Sequence, residues 1–185
     1  MKVGKHTLLI DGNYFVFSRL FVLPKPKTGK LLGDDKQKKQ FMRKLSIDLA
    51  SEMRKLGGFV DDVVLTVDSK SWRKDLYPDA GYKGTRKPNS NVEWSAVYEV
   101  YEAWQEILAT KGVVVHQIQG AEADDVIASI VRQNSRSLQP EPVLILSADK
   151  DFIQLHRYSS VKQYDPIRNR WIEEENPVRY LQEHI

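Results

Sequence analysis

The sequence contains no cysteine and no long hydrophobic run. Without cysteine the chain can form neither a disulfide nor a thiolate-ligated metal site, which fits a reducing cytosol. The apolar stretch near the N-terminus is far too short for a signal peptide or a membrane span, and no later stretch approaches the required length. We therefore expect a soluble cytoplasmic protein with no membrane partner.

Histidine pairs with metal-ligand spacing are also missing. His6, His116, His156 and His184 are scattered along the chain, so they do not form the clusters that zinc usually requires. We find neither an internal repeat nor a low-complexity linker. A length of 185 residues with 41% hydrophobic residues suits one compact domain with a substantial core. We predict a single domain over residues 1–185.

Short apolar runs alternate with amphipathic segments along most of the chain. The predicted strands are 6–10, 61–67, 113–118 and 140–149, and apolar residues at helical spacing occur over 41–56, 97–108 and 126–131. Residues 25–39 are interpreted as a polar loop, 161–174 as a short hairpin, and 177–185 as the start of a last helix. This alternation predicts a three-layer α/β/α domain with a mainly parallel sheet and right-handed crossovers.

Seven carboxylates follow the predicted carboxyl ends of these strands, where ligands of such sheets gather. Residues three apart share a helix face, so Glu122 and Asp125 point together, and Asp149 and Asp151 share a face in extended chain. Acids also suit helix starts, and Asp149 alone would be an ordinary N-cap. Because the two acidic clusters, at 122–125 and 149–151, follow successive strands, we favour a functional site over simple helix capping. The seven are Asp11, Asp68, Glu122, Asp124, Asp125, Asp149 and Asp151.

Carboxylates crowded at the mouth of a hydrophobic sheet require protonation or a bound cation. Oxygen ligands suit Mg²⁺ and Mn²⁺. Two such ions, ~3.5 to 4 Å apart, can activate a water molecule and stabilise the leaving oxygen of a phosphodiester. Hydrolysis of nucleic acid is therefore the predicted reaction class.

Residues 69–91 are basic, aromatic and interrupted by proline and glycine, a pattern typical of a mobile loop or irregular helices over a site. Its positive charges would attract phosphates, and Trp72, Tyr77 and Tyr82 could stack unpaired bases. Basic runs are more often solvated faces and aromatic residues usually pack, so this interpretation depends on the neighbouring carboxylates. The basic residues are Lys70, Arg73, Lys74, Lys83, Arg86 and Lys87.

Five ordered motifs resemble the flap endonuclease and 5′ to 3′ exonuclease family. They are IDGN at 10–13, VDSK at 67–70, LYP at 76–78 followed by YKGTR at 82–86, GAEADDVIA at 120–128, and SADKDFIQL at 147–155. WRKD at 72–75, with VKQYDP and RWIEE near the end, is most similar to the ribonucleases H of T-even-type phages, a branch of that family. The resemblance extends from Leu8 nearly to Ile185.

The resemblance implies a PIN-like, Rossmann-like domain with a basic arch at about 69–91 over the carboxyl edge of the sheet. Such enzymes remove RNA primers and 5′ flaps during replication with two Mg²⁺ ions, for which Mn²⁺ substitutes. The implied substrates are DNA with a 5′ flap or nick and RNA:DNA hybrid. Replication proteins, such as a single-strand-binding protein or a clamp, are implied partners of a monomer in the host cytoplasm if a phage encodes it.

The seven carboxylates match family positions that bind metals directly or through water. Lys83 and Arg86 match catalytic basic residues of the arch, Tyr82 matches an aromatic residue near the frayed end, and Gly12 would allow close approach of the substrate backbone. The implied nucleic-acid-binding residues are Lys70, Arg73, Lys74, Tyr82, Lys83, Arg86 and Lys87.

Two features depart from the family pattern. The insertion Asp79-Ala80-Gly81 lengthens the spacing before Tyr82, and the helix-three-turn-helix segment that grips duplex DNA would begin about where the sequence ends. We therefore expect a complete first metal site and a weakened second one. The alternatives are a non-catalytic nucleic-acid-binding module and a PIN-like single-strand ribonuclease. A phosphoaspartyl transferase is disfavoured because Asn13 stands where that chemistry needs a second acid.

Overall fold

In the computed structural model, residues 6–56, 60, 62–73 and 89–184 are described. Six strands in these ranges form one sheet in the order β3-β2-β1-β4-β5-β6. The strands are β1 Thr7–Asp11, β2 Asp62–Val67, β3 Val114–Gln117, β4 Val143–Leu146, β5 Val161–Asp165 and β6 Arg170–Ile172. Neighbouring strands pair in parallel except β5 and β6, which form an antiparallel hairpin. The predicted mainly parallel sheet and terminal hairpin are confirmed.

Helices cover both faces of the sheet. They are α1 Gly12–Leu20, α2 Asp35–Lys55, α3 Trp94–Thr110, α4 Ala123–Asn134, a 3₁₀ helix at Lys150–Arg157, and α5 Pro177–His184. Successive strand residues point to opposite faces, so Leu8 and Ile10 pack with α1, α2 and α3, whereas Leu9 packs with α4 and the 3₁₀ helix. The three-layer architecture is therefore confirmed. None of the described helices is both long and apolar enough to span a membrane.

The strand order reverses beside β1. The chain moves outward from β1 to β2 and β3, then crosses back to place β4 on the other side of β1. In doubly wound sheets, ligands bind in the crevice outside the carboxyl ends of the strands at such a reversal. The carboxyl ends of β1 and β4 therefore define the position where a site is expected.

The predicted loop at 25–39 is wrong over its last five residues. α2 begins at Asp35, and the side chain of Asp34 caps it by accepting a hydrogen bond from the Gln37 amide at 2.8 Å. The first turns of α2 are almost wholly charged and exposed, and the buried apolar face begins only at Phe41. Hydrophobic spacing therefore could not show where the helix starts, whereas the cap could.

The basic stretch is described only at its two ends. Trp72 is anchored through its amide, which donates to the Gly120 carbonyl at 2.8 Å, and Asn91 accepts from the Leu31 amide at 2.8 Å. Lys74, Tyr82, Lys83, Arg86 and Lys87 lie outside the described residues. Their predicted roles remain predictions.

Gly12 opens α1 directly after β1 and is crowded by the protein itself. A Cβ at this position would collide with the Tyr101 hydroxyl and would lie 2.6 Å from the Thr66 carbonyl oxygen. The resemblance implies that this glycine serves a close approach of the substrate. The structure shows a separate requirement for glycine here, namely the packing of α1 against β2 and α3.

We expect Gly12→Ala to destabilise the protein by about 1 to 3 kcal/mol, because the added methyl group overpacks a junction that cannot relax freely. Chemical denaturation of the variant and the wild type measures the difference. Adding Tyr101→Phe removes one of the two collisions, so the double variant should lose less stability than the sum of the single variants. Strict additivity would contradict the crowding.

Candidate active site

Asp11 and Asp149 are joined by one buried serine at the strand reversal. Asp11 ends β1 and accepts hydrogen bonds from the Tyr14 amide at 3.0 Å and from the Ser147 hydroxyl at 3.2 Å. The same Ser147 oxygen accepts from the Asp149 amide at 3.1 Å. Because Ser147 is fully buried just after β4, it fixes the two acidic turns relative to each other.

Burial raises the pKa of the Asp11 carboxyl from 3.8 to about 7. The negative charges of Asp68 and Asp149 raise the pKa further, while the hydrogen bonds from Tyr14 and Ser147 lower it. The side chain is 8% exposed. A cation nearby would therefore favour the ionised form of this carboxyl at neutral pH.

Asp68 is held between the first turns of α1 and α4. One of its carboxylate oxygens accepts from the Asn13 side-chain amide at 2.6 Å, and the other accepts from the Ala123 backbone amide at 2.7 Å. Asn13 is itself held by the Tyr101 hydroxyl, which donates to its side-chain oxygen at 3.2 Å. The N-terminus of α4 favours the negative charge of Asp68 through its free amides and its dipole.

The three acids at the start of α4 form a compact cluster. Glu122, Asp124 and Asp125 each offer a carboxylate oxygen within 4.8 Å of the others. Glu122 and Asp125 form a capping box, and the Asp124 side chain accepts from the Asp125 amide at 2.8 Å. Burial raises the pKa of the Asp124 carboxyl, and the charges of Asp125 and Glu122 add to the effect. The predicted shared face of Glu122 and Asp125 is confirmed.

Arg73 provides the counter-charge for two of these acids. Its guanidinium donates to both carboxylate oxygens of Asp125, at 2.7 and 2.8 Å, and to Glu122 at 3.0 Å. The same guanidinium lies 5.0 Å from the centre of the Trp72 ring. A phosphate contact by Arg73, as implied by the resemblance, would have to share the guanidinium with these two carboxylates. Lys70 is exposed.

Asp149 and Asp151 lie at the start of the 3₁₀ helix. Asp149 caps this helix by accepting from the Asp151 amide at 3.0 Å, and Asp151 is exposed. The Asp149 carbonyl accepts from the side chain of Gln163 at 2.7 Å. The capping role of Asp149 is therefore real, and it occupies only one of the two carboxylate oxygens. The negative charge of Asp149 still acts on Asp11.

These residues fit divalent metal ions. The carboxylates come from the ends of β1, β2 and β4 and from the start of α4, and every candidate side-chain donor is oxygen. Oxygen donors are the ligands that Mg²⁺ and Mn²⁺ prefer. The raised pKa of the buried Asp11 carboxyl indicates that its ionised form lacks sufficient positive charge from the described residues alone.

Sequence reasoning missed the groups that orient the acids. The motifs predict no such role for Ser147 or Asn13 and predict a phosphate contact for Arg73, whereas the structure places each of them against carboxylates. The role of Ser147 could have been predicted from its position. It is the first residue after a buried strand and lies two residues before Asp149. Asp165, also at a strand end, caps the turn that follows by accepting from the Ile167 amide at 2.9 Å and the Arg168 amide at 3.0 Å.

The family described as 5′-3′ exonuclease, N-terminal resolvase-like domain, matches residues 6–183. Ribonuclease H of Enterobacteria phage T4 is 34% identical over 115 residues, covering 60% of this chain and 37% of that protein. The flap endonuclease Xni of Shewanella sp. strain ANA-3 is 37% identical over 111 residues, covering 60% of this chain and 38% of that protein. The chain therefore spans less than two fifths of the length of these curated relatives.

Two solved structures of a phage protein have the same fold. The T5 D15 protein, co-crystallised with metal ions, aligns with a TM-score of 0.64 at 17% identity, over 95% of this chain and 60% of that one. The D15 flap endonuclease of bacteriophage T5, in a complex with DNA and metal ions, aligns with a TM-score of 0.57 at 18% identity, over 97% of this chain and 60% of that one.

The raised pKa of Asp11 predicts a pH-dependent gain in stability for Asp11→Asn without metal. In the folded wild type the Asp11 carboxyl keeps its proton up to about pH 7, whereas in the unfolded chain it releases the proton near pH 3.8. The contribution of Asp11 to the free energy of unfolding therefore falls as the pH rises through this window. Asp11→Asn has no carboxyl group at this position, so its free energy of unfolding does not fall for this reason. Its stability relative to the wild type should therefore increase between pH 4 and pH 8 by roughly 4 kcal/mol, at 1.36 kcal/mol for each unit of pKa difference.

Urea denaturation in chelator at several pH values measures this difference. Because only its change with pH matters, the altered hydrogen bond to Ser147 cancels. A difference that stays constant from pH 4 to pH 8 would show that Asp11 titrates normally.

Removal of the Arg73 guanidinium should weaken the metal-free fold. In Arg73→Ala, the buried Glu122 and the partly exposed Asp125 both lose their ion pairs with this guanidinium, so we expect a loss of about 1 to 3 kcal/mol, reduced from the fully buried case by the partial exposure of Asp125. Millimolar Mg²⁺ should restore part of this stability, because the ion replaces the lost charge. Thermal denaturation with Mg²⁺ and with chelator tests both statements.

Arg73→Lys is the matched control, since it keeps the charge and loses the paired hydrogen bonds to Asp125. The stability of Arg73→Lys should lie between that of the wild type and that of Arg73→Ala. Equal stability of all three proteins would mean that the ion pairs contribute nothing.

Proposed function

The chain belongs to the 5′-3′ exonuclease N-terminal resolvase-like domain family, and from this premise we propose that it hydrolyses phosphodiester bonds of nucleic acids as a metal-dependent 5′ nuclease. The substrates we propose are DNA with a 5′ flap or nick and RNA:DNA hybrids. The observation that carries the proposal is the buried Asp11 at the strand reversal, whose pKa is raised to about 7 beside Asp68 and Asp149.

We propose that two divalent ions, Mg²⁺ or Mn²⁺, are held by carboxylates at this edge. One group consists of Asp11, Asp68 and Asp149, with Asp151 nearby, and the other consists of Glu122, Asp124 and Asp125. Ions bound there would supply an activated water and stabilise the charge on the leaving oxygen. An oxygen-only donor set and the family match support this assignment.

The chain's own groups hold this arrangement in place. Ser147 donates to Asp11 and accepts from the Asp149 amide, so the relative positions of these two carboxylates depend on one buried hydroxyl. Asn13 and the amide of Ala123 each engage one oxygen of Asp68 and thereby fix its plane. Such fixed positions reduce the reorganisation that a reacting phosphate would otherwise require.

The basic stretch completes the proposal. We assign Lys83 and Arg86 to contacts at the scissile phosphate, Tyr82 to a base near the strand end, and Lys70, Lys74 and Lys87 to the backbone. The family motif YKGTR supports this assignment. A location in the cytoplasm, a monomeric state and contacts with replication proteins belong to the same proposal.

Asp149→Asn tests whether the acidic edge is catalytic. Asparagine keeps the oxygen that caps the 3₁₀ helix and removes one negative charge, so the fold should survive. We expect Mg²⁺-dependent cleavage of a 5′-labelled flap duplex to fall at least about 100-fold, the scale on which single charge-stabilising groups contribute. Chelator should abolish wild-type cleavage, and Mn²⁺ should replace Mg²⁺.

Asp165→Asn is the matched control. Asp165 also follows a parallel strand and caps the next turn, and its substitution should leave cleavage close to the wild-type rate. Flap binding by the wild-type chain without cleavage in any metal would support a non-catalytic binding module instead. Cleavage of single-stranded RNA without any preference for a junction would support the ribonuclease alternative.

A further inference from the structure

One exposed face of α2 carries positive charge that the proposed active site does not use. Lys36, Lys39, Gln40 and Arg43 follow one another at intervals of three, one and three residues, which places them on one side of the helix. All four side chains are exposed, and together they line a shallow depression. We call this set the α2 stripe.

Three of the other four basic residues of α2, namely Lys38, Lys44 and Lys55, have acidic partners, whereas Arg54 in the last turn has none within 4.0 Å among the described residues. Lys38 lies 2.8 Å from Glu99 and 3.6 Å from Asp35, and Lys44 lies 2.9 Å from Asp48. By contrast, within the part of the chain that the structure describes, no carboxylate lies within 4.0 Å of the cations of the α2 stripe. Over residues 36–44, α2 therefore carries a row of uncompensated cations beside paired ones.

This row is unfavourable for the helix itself. Lys36 and Lys39 are three residues apart and Lys39 and Arg43 are four apart, so like charges face each other along one side. Lys36 also lies in the first turn, where the helix dipole disfavours positive charge. A bound polyanion would relieve both repulsions.

The α2 stripe belongs to the same end of the molecule as the acidic edge. Just before α2, Leu31 pairs with Val92, beside the end of the basic stretch. Lys38 joins the start of α2 to Glu99 of α3, and Tyr101, half a turn further along α3, donates to Asn13 of the candidate active site. Nucleic acid bound at the acidic edge could therefore continue along α2.

We propose that the α2 stripe binds the phosphate backbone of duplex DNA next to the acidic edge. The stripe extends over eight helical positions, from Lys36 to Arg43, or about 10 Å at 1.5 Å per residue, which is enough for two to three phosphates that advance 3.4 Å each along a duplex axis. It contains no aromatic or aliphatic anchor of the kind that dominates protein interfaces, so an acidic protein partner is disfavoured. The inference rests on the proposed function for its choice of ligand.

The test is the salt dependence of duplex binding by the 185-residue chain in chelator, where no cleavage occurs. Fluorescence anisotropy with a blunt DNA duplex of about 20 base pairs gives the slope of log affinity against log salt. In the triple variant K36Q, K39Q and R43Q the slope should decrease in magnitude by about 2 to 3, or about 0.9 for each phosphate that the variant no longer neutralises. Glutamine keeps helix propensity, so the melting temperature should not fall.

The matched control removes three other exposed charges. Lys111, Arg132 and Arg136 lie after α3 and in or after the last turn of α4, at the ends of segments that lead into the amino ends of β3 and β4. Their triple glutamine variant has the same net charge as the stripe variant and should change the slope by less than about 1. Equal changes in both variants would overturn the proposal, because only net charge would then matter.

Three further outcomes would also overturn the proposal. They are a wild-type chain that does not bind the duplex even at low salt, a stripe effect on single strands but not on duplex, and stripe-dependent binding of polyglutamate without duplex binding. Failure of the nuclease proposal is distinguishable, since stripe-dependent duplex binding in chelator can persist when the flap assay shows no cleavage. If the chain cleaves the flap but the stripe variant binds duplex as the wild type does, the nuclease proposal is supported and the proposed duplex-binding role of the α2 stripe is contradicted.

Discussion

The structure depends on the burial of one carboxyl group, that of Asp11, where the strand order reverses. A hydrophobic sheet edge disfavours ionised oxygen, so the surrounding groups are arranged to hold this acid rather than to neutralise it. Ser147 ties it to Asp149, and the first turn of α1 supplies the Tyr14 amide. Gly12 must be glycine for that turn to fit beneath Tyr101. Residues of α1, of α3 and of the turn after β4 therefore all take part in placing this one carboxyl group.

The acids of the site differ in how the protein compensates their charge. Arg73 forms ion pairs with Glu122 and Asp125, and the α4 N-terminus supports Asp68, whereas among the described residues no lysine or arginine lies within 4.0 Å of Asp11 or Asp149. Desolvation consequently raises the pKa of Asp11 to about 7. The acidic edge therefore has one part whose charge Arg73 partly compensates and another part, around Asp11 and Asp149, where no described lysine or arginine does so.

Strand ends were predictable from the sequence, but the partners of the acids were not. Strands β1 and β2 end in an acid or directly before one, and β4 ends three residues before Asp149. Because the carboxyl ends of parallel strands meet at one edge, the location of the candidate site follows from periodicity alone. The link between Asp11 and Asp149 depends instead on strand register, which brings Ser147 into contact with Asp11, 136 positions away. The start of α2 escaped hydrophobic analysis because its first turns face solvent.

Arg73 shows why a charged residue cannot be assigned from its neighbours in sequence. It lies in a basic run that suggests phosphate contacts, yet its guanidinium forms a paired contact with Asp125, 52 positions away. The backbone enforces this choice, because the Trp72 amide is fixed to the Gly120 carbonyl two residues before Glu122. A cation that binds Glu122 and Asp125 competes with the guanidinium for the same oxygens. Occupation of that cluster and the position of the first residues of the basic stretch are therefore thermodynamically linked, and each must affect the other equally.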